Sequence, residues 1–178
     1  MAIPTLNAVG FCAHYSKHGD RAFKYALELS QKFNLQLNVF HFLDDPYNPS
    51  DSSLDNMSHE ELELLAIKKE KELRLYYDKK AGDYLNIGFR VCYDRAWTEL
   101  HKCLIIREFQ ILVLGYPTQG GFFARYPIEE FANRFTSPVV LVGPDNERQF
   151  FHNSPATLIV DKLGIEETSQ QLALEQTV

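Results

Sequence analysis

Apolar residues recur along this chain in short blocks separated by stretches of helical period. Residues 6–11 form an apolar run bounded by turn residues, the pattern of a buried strand. Ala22, Ala26, Leu29 and Phe33 then fall on one face of a helix for which Asp20 is placed as N-cap. Residues 35–43 read as a second buried strand, and the Asp-, Pro-, Asn- and Ser-rich stretch 44–58 as a long loop. Ser58 with Glu61 makes a capping box ahead of a helix whose inner face is Leu62, Leu65, Ala66, Leu73, Tyr76 and Tyr77. A third strand is expected at 86–93, a helix with Ala96, Leu100, Cys103 and Leu104 inward, and a fourth strand at 110–115. Pro127 opens a helix carrying Ile128, Phe131, Ala132 and Phe135, and a fifth strand follows at 138–143.

Strands alternating with one-sided helices predict an α/β domain, a five-stranded parallel sheet with helices on both faces, over residues 1–144. Ligands in such sheets sit beyond the strand C-termini where the strand order reverses, which directs attention to the loops after Gly10, Leu43 and Gly115. Residues 145–178 remain as a C-terminal extension. Its apolar run 156–160 reads as an extra strand, its later part as a short helix, and its use as an arm over a sheet edge or onto a partner subunit.

Charge and composition narrow the function classes. A net charge of −6 argues against a nucleic-acid partner. The longest apolar runs fall well short of the roughly 20 residues that cross a bilayer, and the first residues carry no secretion pattern, so the expected compartment is the cytoplasm. Three widely spaced cysteines, Cys12, Cys92 and Cys103, fit buried thiols rather than a disulfide framework. Cys12, His14 and His18 lie close in sequence but make an incomplete ligand set, so no metal is expected. Hydrolase and phosphate-loop signatures are missing, and Asp94 with Glu99 reads as a solvated helix start, so no catalytic residue is assigned.

The segment Ala22-Phe-Lys-Tyr-Ala-Leu-Glu-Leu29 followed by Leu35-Gln-Leu-Asn-Val-Phe-His-Phe42 resembles the universal stress protein family. Gln110-Ile-Leu-Val-Leu-Gly115 and Ser137-Pro-Val-Val-Leu-Val142 are similar to that family's second half. The resemblance implies a homodimer paired through the last strand, here Pro138, Val139, Val140, Leu141 and Val142, and a stress-response role with an unidentified protein partner. It also implies a place for ATP or AMP, held by an acid after the first strand and by a glycine-patterned loop after the fourth.

This chain departs from that pattern. Gly10 is read at the place of the acid, and Thr118, Ile128 and Glu129 stand where the loop pattern has Gly, Gly and Ser or Thr. Ile128 cannot let a backbone amide approach a phosphate as glycine does, and Glu129 adds like charge. The candidate residues of a degenerate nucleotide site are Gly10, Phe11, Phe42, Gly115, Tyr116, Thr118, Gly120, Gly121 and Arg125, with Tyr116 as a stacking surface and Arg125 as a cation. The expected function is a non-catalytic regulatory protein with no bound cofactor. The alternatives are a sensor binding an adenine nucleotide in a modified pocket, and an enzyme acting on an adenylate.

Overall fold

The computed structural model describes residues 6–49, 54–118, 121–143 and 150–163. Its sheet has six strands in the order β3-β2-β1-β4-β7-β8. These are β1 (Ala8–Cys12), β2 (Gln36–Phe42), β3 (Ile87–Cys92), β4 (Ile111–Gly115), β7 (Val139–Val142) and β8 (Phe150–His152). The first five are parallel, and β8 runs antiparallel to β7. The chain begins in the middle of the sheet, moves outward to β3, and returns to lay β4 on the other side of β1, so the order reverses between β1 and β4.

The described residues form five helices: α1 (Lys17–Phe33), α2 (His59–Ala81), α3 (Ala96–Ile105) and α4 (Ile128–Asn133) between strands, and α5 (Ser154–Leu163) after β8. A small hairpin of β5 (Phe122–Phe123) and β6 (Tyr126–Pro127) interrupts the connection from β4 to α4. Buried side chains form two clusters, one on each sheet face. Phe11, Phe23, Leu73 and Tyr77 centre the cluster under α1 and α2, and Phe42, Leu100, Phe109 and Phe131 the one under α3 and α4.

Two expectations about local structure change. Helix α1 starts a turn before Asp20, because the Ser16 hydroxyl accepts from the Gly19 amide at 3.1 Å and caps it. Asp20 instead accepts from the Tyr76 hydroxyl at 2.7 Å and tethers α1 to α2. The run 156–160, expected as a strand, lies in α5, and the added strand is the more polar 150–152. Short apolar runs suit either state; here Asn153 caps the helix, and Ala156 and Ile159, three residues apart, both turn into the core. The helix expected near 166–175 lies outside the described residues.

Strand β8 pairs with β7 through Val140–His152, Leu141–Phe151 and Val142–Phe150. The edge formed by Pro138 to Val142, expected to pair with a partner subunit, is therefore taken within the chain. Asn153 locks this cover in place. Its side chain, 1% exposed, accepts from the Val139 and Ala156 amides at 2.9 and 3.1 Å. It donates to the Ala132 and Ser137 carbonyls at 3.1 and 2.9 Å.

Candidate functional site

At the C-terminal ends of β1 and β4, where an open α/β sheet normally offers a crevice, this chain places its own side chains. Tyr47, in the loop after β2, donates its hydroxyl to the Gly115 carbonyl at 2.8 Å. Its ring stacks on His14, just past β1, with centroids 3.9 Å apart and planes within 10°, and meets the buried Phe123 edge-on. Burial raises the Tyr47 pKa well above its ordinary value, so the hydroxyl remains a donor.

The residues marked from sequence divide into core and surface. Gly10 lies in the middle of β1, not at its end, and a Cβ there would meet the Phe109 ring at 2.8 Å, so its smallness serves packing. Ala13 and His14 hold the place just after the strand. Phe11 and Phe42 are fully buried on opposite sheet faces and pack in the two cores. Gly115 has a similar structural cause, since an added Cβ would come within 2.8 Å of the His18 carbonyl oxygen. Tyr116 donates its hydroxyl to Glu129 at 2.7 Å. Gly121 carries φ +70° at the start of the hairpin, Thr118 is exposed, and Gly120 lies outside the described residues.

No protein-family model matches the chain, and no curated protein matches it. Solved structures do. The universal stress protein UspA from Lactobacillus plantarum matches with TM-score 0.58 at 15% identity, over 79% of this chain and 100% of that one. A universal stress family protein from Burkholderia pseudomallei gives 0.54 at 14% identity, over 80% and 100%. The chain has the universal stress protein fold. A third protein of this fold, a universal stress protein solved in complex with cAMP, gives 0.53 at 17% identity, over 78% and 97%. At these identities the likeness is one of fold, and the site rests on this chain's own residues.

The loop after β4 leads through the hairpin into the start of α4. Ile128 is 2% exposed and belongs to the core under α4. The hairpin ahead of it turns on Ala124 and Arg125 at φ 49° and 70°. A two-residue turn with both φ positive favours Asn-Gly, and side chains bearing a Cβ pay about 1 kcal/mol each there. Neighbouring contacts hold the turn: Phe123 is fully buried, the Ala124 amide donates to Pro46 at 2.7 Å, and the Ile128 amide donates to Gly121 at 3.0 Å. The hairpin is thereby tied to the loop that carries Tyr47.

Two histidines flank this region in neutral form. Burial, with His18 nearby, lowers the His14 pKa to about 4, and its Nδ1 lies 3.0 Å from the Ser16 hydroxyl. Burial, with Lys69 adjacent, also lowers His41 to about 4, and its Nε2 is 3.4 Å from the Lys69 amine. His18 binds the Tyr116 carbonyl through Nδ1 at 3.0 Å. Cys12 is fully buried on the face under α3, and among the described residues no three His, Cys, Asp or Glu side chains are grouped to hold a metal. All three cysteines are buried and free.

Sequence reading missed Tyr47 and His14 as the residues that meet at the switch point. The available signal was a lone aromatic between Asp45-Pro46 and Asn48-Pro49 in a loop otherwise made of turn residues. Glu99, expected only to face solvent, binds Arg90 at 2.9 Å.

Proposed function

We propose that this chain is a non-catalytic regulatory protein of the stress-response kind whose nucleotide cradle is occupied by its own side chains. One fold neighbour was solved with cAMP, so the fold has room for an adenine nucleotide in that protein. In this chain the Tyr47–Gly115 hydrogen bond spans the sheet end where the strand order reverses, and this observation carries the reading. A ligand there would have to displace the Tyr47 ring from His14 and break that bond, and Glu129 beside Tyr116 opposes a triphosphate. As part of the same reading the chain acts as a homodimer, with β8 rather than Val139–Val142 as the strand at the sheet edge.

Thermal melting with millimolar ATP, AMP and cAMP tests it, because a ligand that binds only the folded state raises the melting temperature by mass action. No shift is expected with ATP. A dose-dependent rise with ATP refutes the occupied cradle. Light scattering gives the molar mass, and a monomer at micromolar concentration removes the dimer.

A further inference from the structure

A separate cavity of about 190 Å³ opens on the α3 side of the same sheet end. It is lined by Arg95, from the connection between β3 and α3, and by Arg125, from the tip of the hairpin. These arginines are 30 residues apart in sequence and lie on different elements, yet both face one opening. Tyr126 supplies an aromatic wall, and the Arg134 guanidinium packs on its ring, 3.9 Å from the centroid. Pro46 and Pro49 add apolar surface, and Asp44 is the one carboxylate among the described lining residues.

The geometry points to this cavity as a binding site for a small phosphomonoester of sugar-phosphate size. Two guanidinium groups present planar donors matched to phosphate oxygens, which a single ammonium does not. The tyrosine and proline walls offer a flat apolar face to the ligand's body, and Asp44 accepts from a hydroxyl. The volume falls below the roughly 300 Å³ at which pockets begin to enclose drug-sized ligands, which suits a sugar phosphate better than a nucleoside triphosphate.

Two further observations favour a built site over a chance approach of side chains. Arg125 is held at positive φ in a turn where glycine would be easier, and the surrounding contacts keep it there. The protein's net charge of −6 would repel an anion at long range, but salt screens charges beyond about 8 Å, so the local charges of Arg95, Arg125 and Asp44, net positive, set the field in the cavity. The site does not depend on whether Tyr47 closes the cradle between β1 and β4.

Titration of ¹⁵N-labelled full chain with ribose 5-phosphate, inorganic phosphate and ATP tests the assignment by NMR. Ribose 5-phosphate is expected to move the amide signals of Arg95, Arg125 and Tyr126, with inorganic phosphate weaker and ATP weakest. Arg95→Met and Arg125→Met should each weaken ribose 5-phosphate by about tenfold or more, whereas Arg74→Met on the exposed face of α2 should not. Both arginines are exposed, and a cooperative melt of each variant confirms that it is folded when its binding is read. Absence of binding, or binding that survives both substitutions, overturns the site. Equal affinity for inorganic phosphate overturns the sugar-phosphate ligand. ATP binding that depends on Tyr47 but not on the arginines refutes the occupied cradle and leaves this cavity standing.

Discussion

The hydroxyl of Tyr47 and the carbonyl of Gly115 meet at 2.8 Å across the point where the strand order reverses, joining the loop after β2 to the end of β4. Replacing Tyr47 by Phe keeps the ring stacked on His14 and removes only this bond. The expected loss is about 1 kcal/mol, read as a fall of about 2–4 °C in melting temperature for a chain of this size. An unchanged melting temperature would mean the bond does not close the sheet end in solution.

Asn153, buried, uses both of its N–H donors and accepts two backbone amides within the protein, so truncating it is costly. Asn153→Ala removes the side-chain partner of the Val139 and Ala156 amides and of the Ser137 carbonyl, while the Ala132 carbonyl keeps only backbone donors. A loss of about 3 kcal/mol or more is expected, with faster amide exchange in β8 and α5 than in β1. Uniform exchange across the sheet would show that β8 is not secured through this side chain.

Gly19 admits no side chain, because a Cβ there would lie 1.6 Å from the His14 carbonyl oxygen. Gly19→Ala should therefore destabilise the protein although alanine favours helices, by about 1–3 kcal/mol as the start of α1 shifts. Denaturant titration checks the sign, and a stabilised variant would place α1 farther from β1.

Acid should weaken the fold through His14 and His41. Both have folded pKa values near 4, below the ordinary 6.5, so between those values the unfolded chain binds more protons. Stability from these groups is complete above pH 6.5 and declines as pH falls toward 4. His14→Asn with His41→Gln should flatten the slope of unfolding free energy against pH in that window, and an unaltered slope would assign the acid sensitivity to other groups.

The hairpin turn offers a test in the stabilising direction. Ala124→Asn together with Arg125→Gly places the favoured residues at two positive φ angles and should add about 1 kcal/mol. The same change removes Arg125 from its cavity, so ribose 5-phosphate binding should fall as stability rises.

Strand and helix positions were legible in the sequence because buried strands need continuous apolar runs and covering helices need one apolar face. The five parallel strands end within about two residues of their expected limits for that reason. The capping box of Ser58 and Glu61 was equally readable, being a local motif, and both of its hydrogen bonds form. Short segments with few neighbours to constrain them resisted reading: the hairpin at 122–127 is two strands of two residues each, and the apolar run 156–160 suited either strand or helix.

What the sequence alone determined, then, is the parallel α/β layering, through the periodicity of its apolar residues. Tertiary structure decided the rest of the candidate site. Gly10 and Gly115 prove to be fitted to Phe109 and His18, and Tyr47 crosses from a distant loop to the end of β4. Arg95 and Arg125 come to one cavity from separate connections. Such meetings depend on where loops land after strands order themselves around the middle of a sheet, and residue spacing along a chain carries no record of that order.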